Sequence, residues 1–217
     1  MTESRSVVDG AFRVLRALPL AGTDGQVARI VELTGLPRPT VHRMLDQLHA
    51  VNAVEWREGR WALSADLLGL SRQVEPVTGL RSAASAVIQT LREQTGAAVS
   101  LVTGSGRSFV ALEMVPGRDT LPIDARSGSE MPVTTAAAIV LGGGRVTAAR
   151  RRPFGAAVDD EDVFPGLTCY AVPVRLPGGR RAALQIATAA DRPAERSAAV
   201  VHRAALTLER RLASARP

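Results

Sequence analysis

Within ten residues, Arg38, Thr40, His42, Arg43 and Gln47 supply guanidinium, hydroxyl, imidazole and carboxamide groups. These are the side chains that hydrogen-bond phosphates and base edges in the major groove. They interleave with Val41, Met44, Leu45 and Leu48, whose spacing of three and four predicts a helix with one apolar face and leaves the polar set on the other. Two further arginines, Arg57 and Arg60, flank Glu58-Gly59 between the alternating pairs Val54/Trp56 and Trp61/Leu63. That pattern predicts a hairpin whose polar tip presents both guanidiniums to a phosphate or the minor groove. A solvated face on an ordinary three-helix domain is the plain alternative. The tight Gly35-Leu36-Pro37 turn before the helix and the hairpin directly after it favour duplex DNA.

Other residue types with chemical potential carry less. Cys169 is the single cysteine and sits in an apolar, strand-like run with no histidine or base near it in sequence, which reads as a small core residue. The acidic run Asp159 to Asp162 lacks the calcium-loop pattern and reads as a solvated loop or a pocket lid. Gly142-Gly143-Gly144 lacks the Lys-Ser/Thr ending of a phosphate loop and reads as a helix stop. Arg150-Arg151-Arg152 reads as a solvated loop. No clustered acid/base or metal-ligand constellation is found, so the chain is read as a non-enzyme with no metal and no cofactor. The competing class is a small-molecule-processing enzyme that uses a winged helix only for protein contact.

The elements that must position these residues follow from periodicity. Helices are predicted at Val7 to Leu18, around Val27 to Leu33, and from Pro37 to His49, followed by the hairpin and a helical stretch from Ala65 to about Val74. Glu75 to Gly79 is the linker, which gives a DNA-binding domain over 1–74, a linker over 75–79 and a second domain over 80–217. In the second domain, helices are predicted at Leu80 to Gln94, Thr134 to Leu141 and Ala194 to Leu212. Strands are predicted at Ala97 to Thr103, Ser108 to Met114, Leu121 to Asp124, Leu167 to Val174 and Ala182 to Thr188. The fold class is α+β with a mostly antiparallel sheet.

The 217 residues suffice for one large or two small domains. Aromatics make up 3% of the chain, too few for a base-stacking platform. A lone cysteine and the lack of a signal or spanning segment predict a reducing, cytoplasmic setting. The net charge of +6 invites a nucleic-acid reading, yet its distribution does not single out the first domain. Residues 1–75 hold nine arginines against nine acids, whereas 76–217 hold eighteen against twelve, and no lysine occurs anywhere.

The segment from Val27 to Leu45 (VARIVELTGLPRPTVHRML), with Gly59-Arg60-Trp61-Ala62-Leu63-Ser64 as its wing, closely resembles the winged helix-turn-helix of the isocitrate-lyase-regulator (IclR) family of bacterial transcription factors. The second half is similar to that family's GAF-like effector-binding domain, through Leu91 to Gly96, Val158 to Glu161 and Pro165 to Val174. The resemblance implies a sequence-specific regulator that binds an inverted-repeat operator as a homodimer or homotetramer. It also implies a small organic acid or aromatic carboxylate as effector. By that likeness, Ile123, Asp159 and Cys169 match pocket positions, and Ala137 and Ala138 offer backbone amides to a carboxylate.

Departures from the family pattern bear on that pocket. Thr134 stands where a histidine is usual, Ile139-Val140 where Gly-Lys is usual, and Gln185 and Ala187 where serines are usual near the last strand. Only about a dozen residues separate Gly142 from Phe154, where the family has several more helical turns. These differences predict a pocket that is altered, smaller or lost. If it is lost, the second domain would serve only dimerisation or contact with a partner protein.

Overall fold

The computed structural model describes residues 6–71, 74–105, 108–119, 121, 126–143 and 150–214. The chain divides into two compact units, Met1–Val74 and Glu75–Pro217.

The first unit is built from α1 (Val7–Ala17), α2 (Gln26–Thr34) and α3 (Arg38–Ala50), then the strands β1 (Val54–Arg57) and β2 (Arg60–Leu63) and the short helix α4 (Asp66–Ser71). Ser6 caps α1 by accepting from the Val8 amide. Gly35 ends α2 with φ at 64°, a left-handed conformation that a side chain would disfavour, and Pro37 starts α3 three residues after α2 stops. Val14, Ile30, Val41, Met44, Leu45 and Val54 form the core that the three helices and β1 share. The N-terminal helix is shorter than predicted, because Leu18–Leu20 tightens into a 3₁₀ turn at Pro19. Val7, expected on the inward stripe, is exposed.

The second unit is a six-stranded antiparallel sheet in the order β5-β4-β3-β8-β7-β6. Its strands are β3 (Ala98–Ser105), β4 (Ser108–Val115), β5 (Glu130–Met131), β6 (Ala157–Asp160), β7 (Leu167–Arg175) and β8 (Arg181–Ala189). The helices α5 (Leu80–Thr95) and α7 (Ala198–Ser214) cover one face through Ile88, Leu91, Val201 and Leu208 against Val99, Leu184 and Val172. The short helix α6 (Ala136–Val140) lies over the other face, where Val102, Phe109, Ala171 and Ala183 meet it.

Several expectations change here. The strand predicted at Leu121 to Asp124 falls almost entirely outside the described residues, and Leu121 itself is not in a strand. The edge strand is Glu130–Met131. The helix expected at Thr134 to Leu141 begins only at Ala136, because Thr135 is extended and caps it. The closing helix opens as a 3₁₀ turn over Ala194–Ser197. A strand also forms where a loop or lid was expected. Ala157–Asp160 pairs with β7, which takes Asp159 out of solvent and into the sheet at 2% exposure.

Candidate nucleic-acid interface and ligand cavity

On α3 the buried side chains are Val41, Met44, Leu45 and Leu48. At about 100° per residue, the direction opposite their centre falls near Pro39, Arg43 and Asp46, with His42 and Gln47 to either side. Arg38, His42, Arg43 and Gln47 are exposed, and Thr40 is half-buried at the flank of the face. Asp46 is a member of this face that reading the sequence for donors passed over. It is exposed and lies three residues from Arg43, so one acceptor-only carboxylate stands among groups that can donate.

The hairpin pairs Arg57 directly with Arg60, and Glu58 and Gly59 both take positive φ, at 52° and 77°. That two-residue turn matches the twist of the strands and fixes the register. It also sets two arginines directly opposite one another in the ladder, a like-charge pairing that is unfavourable unless an anion offsets it. Arg57 is ion-paired with Glu55 on its own strand, while Arg60 is exposed. Gln26, at the start of α2, fixes the hairpin to the helices. Its Nε2 donates to the Trp61 carbonyl at 2.8 Å and its Oε1 accepts from the Trp61 amide at 2.8 Å. His49 Nδ1 lies 3.1 Å from the Val54 carbonyl oxygen, and its ring meets Trp61 edge-on at 5.6 Å. The end of α3 and the hairpin are therefore tied by backbone-directed contacts.

The second unit holds a cavity of about 360 Å³ on the α6 face of the sheet. Its floor is drawn from two cross-strand rows, of which Ala157 and Ala171 lie outside the cavity lining. One runs Asp159, Cys169, Ala187, Ala98 across β6, β7, β8 and β3. The next runs Ala157, Ala171, Gln185, Ser100, Met114 and continues onto β4. Small side chains in these rows leave the space, and Met131, Pro132, Thr135, Phe164 and Leu167 enclose it. Asp159, Cys169, Gln185 and Ala187, predicted from scattered positions, are thus brought onto one wall. Ile123 lies outside the described residues.

Asp159 has its carboxylate 3.5 Å from Arg150, and its Oδ1 accepts from the Asp162 amide at 3.0 Å. Burial raises its pKa above the ordinary carboxylate range, against the pull of Arg150. Arg150 also bonds the carbonyls of Val158 and Thr134, and Arg152 pairs with Glu195. The expectation of a solvated arginine loop is therefore corrected at these two positions. Arg150 finds its acids in the nearby run at Asp159 and Asp162, whereas the partner of Arg152, Glu195, comes from a distant segment that the local run does not reveal. The Cys169 thiol is 5% exposed, and burial drives its pKa upward, away from the reactive thiolate.

Ala137 and Ala138 do not hold free amides. The Ala137 N–H donates to Gln185 Oε1 at 2.8 Å, and the Ala138 N–H donates to Thr135 Oγ1 at 3.3 Å. The expected carboxylate contact at these two residues is corrected by that pairing. A glutamine in the β8 row reaches across the sheet face and takes the first amide, while the helix cap takes the second.

Residues 7–58 match the family model for the IclR helix-turn-helix domain. The probable transcriptional regulator SauR of Cupriavidus necator is 31% identical over 125 residues, covering 57% of this chain and 50% of that protein. The HTH-type transcriptional regulator TsaQ1/TsaQ2 of Comamonas testosteroni is 32% identical over 113 residues, covering 50% of this chain and 41% of that protein. The chain thus spans about half the length of these curated relatives, or less. Among solved structures, an IclR homolog from Microbacterium hydrocarbonoxydans complexed with 4-hydroxybenzoate superposes with a TM-score of 0.77 at 19% identity, covering 97% of this chain and 100% of that one. The IclR of Thermotoga maritima superposes with a TM-score of 0.67 at 19% identity, covering 94% and 98%. Among the described residues, no helix is long and apolar enough to cross a membrane.

Proposed function

We propose that this chain, which belongs to the IclR family of transcriptional regulators, binds an inverted-repeat operator as a homodimer or a pair of dimers and answers to a small molecule in its second unit. The observation that carries the DNA reading is the exposed polar face of α3, opposite its buried stripe, with the hairpin fixed beside it by His49 of α3 and Gln26 of α2. Helix α3 enters the major groove with Arg38, Thr40, His42, Arg43 and Gln47 towards the bases and phosphates, and Arg57 and Arg60 meet the flanking backbone. Two-fold symmetry sets the half-sites about one helical turn apart, or a multiple of it.

The cavity supports ligand control. It lies within the range of small-molecule sites, is mostly apolar, and holds a few converging polar groups. Ligand occupancy changes DNA affinity only as far as the ligand prefers one arrangement of the dimer over another. The test is selection of genomic fragments by the purified protein, then footprinting of the strongest at two salt concentrations. A protected inverted repeat that survives moderate salt is the expected result. Sequence-blind binding that vanishes with salt would remove the operator reading, since it would leave only electrostatics.

A further inference from the structure

The chemistry of the cavity goes further than its existence, and this step rests on reading it as an effector site. We propose that it selects uncharged ligands, an apolar ring with a hydroxyl at one end and a neutral hydrogen-bond acceptor such as a carboxamide at the other, and turns away the corresponding carboxylates.

Three observations carry this. First, the amides that would hold a ligand carboxylate are already occupied, Ala137 by Gln185 Oε1 and Ala138 by Thr135 Oγ1. The Gln185 oxygen is a resident acceptor in that position. Second, the charged residues lining the cavity are Asp159 and Glu130, and no arginine, lysine or histidine lines it among the described residues. An incoming carboxylate therefore finds no cationic side chain on the described lining to offset its desolvation.

Third, the free valences prescribe a neutral ligand. Gln185 is 3% exposed and lines the cavity, and with its oxygen committed to Ala137, its Nε2 has no partner among the described residues. That N–H requires an acceptor. At the other end, Asp159 accepts hydrogen bonds, and its charge is offset from behind by Arg150. A hydroxyl donor satisfies it there without adding a charge. Gln185 and Asp159 lie two strands apart and two residues offset in register. Strand spacing and rise put their backbones on the order of 10 Å apart, which leaves room for a ring between the two polar groups. Ala98, Ala187, Cys169, Leu167 and Met131 provide its apolar walls.

The probes are 4-hydroxybenzamide and 4-hydroxybenzyl alcohol, set against 4-hydroxybenzoate in titration calorimetry on the full chain, with thermal shift as a second readout. The expected result is that at least one neutral probe binds about tenfold or more tighter than the acid. Gln185→Ala, which frees the Ala137 amide and removes the Nε2 donor, is expected to move that preference about tenfold towards the acid. The variant's own melting curve verifies its fold, and the wild-type comparison needs no variant. Equal or tighter binding of 4-hydroxybenzoate to the wild type would overturn this inference while leaving the effector reading intact. Absence of binding by all three probes at millimolar concentration would overturn both.

Discussion

Arg43 lies almost opposite the buried stripe of α3, so a groove that accepts this helix meets its guanidinium near the centre of the contact. Arg43→Ala is expected to cost about 1–3 kcal/mol of operator binding, measured by titration of the footprinted fragment. Unchanged affinity at physiological salt would remove the recognition-helix assignment. Asp46 tests the same face with opposite sign. A carboxylate there penalises approach to any phosphate and accepts from the cytosine amino group, a means of rejecting wrong sequences. Asp46→Asn is therefore expected to raise affinity for non-operator DNA and narrow the ratio between operator and random fragments. A ratio that stays constant or widens would show that Asp46 faces solvent in the complex. The arginines were legible from type and spacing alone, whereas Asp46 was passed over because a search for DNA contacts counts donors first.

At the scale of elements, the three helices and the hairpin were readable because their cores are local: Val41, Met44, Leu45 and Leu48 announce α3 within eight residues. Gln26 was missed, although it shares the stripe of Ile30 and Thr34, four and eight residues on, and a polar group on a buried stripe needs a partner. Gln26→Ala removes two hydrogen bonds that fix the wing, with an expected cost of about 1–3 kcal/mol in chemical denaturation. Operator affinity should fall beyond what the lost stability explains, and intact affinity would mean that the wing docks without this anchor. Strand β6 was illegible for a different reason. Three of the five residues from Ala157 to Glu161 are acidic, and only pairing with β7 makes a strand of them. The Gln185–Ala137 bond joins residues 48 apart, and the Arg150–Asp159 pair exists only because β6 forms, so the cavity was implied by resemblance while its polarity was not.

The contact between α7 and the sheet carries a pH signature. His202 Nε2 lies 3.0 Å from the Tyr170 hydroxyl, and burial lowers the histidine pKa below its ordinary value near 6.5. A base whose folded pKa is depressed contributes stability that is full above its unfolded value and lost as pH falls through the folded one. Asp159, whose pKa is raised, acts in the opposite sense, and Glu195, lowered by Arg152, acts below the carboxylate range. The melting temperature of the wild type is expected to fall relative to His202→Gln as pH drops from about 7 towards 5. Parallel curves for the two proteins would show that His202 protonates without penalty in the fold.

For the whole molecule, the question is whether DNA affinity follows net charge or local geometry. The excess of arginine lies beyond residue 75, yet Arg150 and Arg152 there are committed to acids, whereas the first unit is nearly balanced. A recognition mechanism confined to α3 and the wing predicts a salt dependence set by a few arginines rather than by the overall +6. Arg60→Ala at the exposed hairpin tip is expected to flatten the slope of log affinity against log salt by about 0.9 for each protomer bound, the value for one neutralised phosphate. Substituting both Arg180 and Arg181, exposed on the turn into β8, is expected to leave slope and affinity unchanged. If the pair changes the slope while Arg60 does not, the second unit touches the duplex, and α3 ceases to be the main contact. The comparison keeps the fold of this chain throughout, because each substitution lies on an exposed side chain outside the three buried clusters of the described residues.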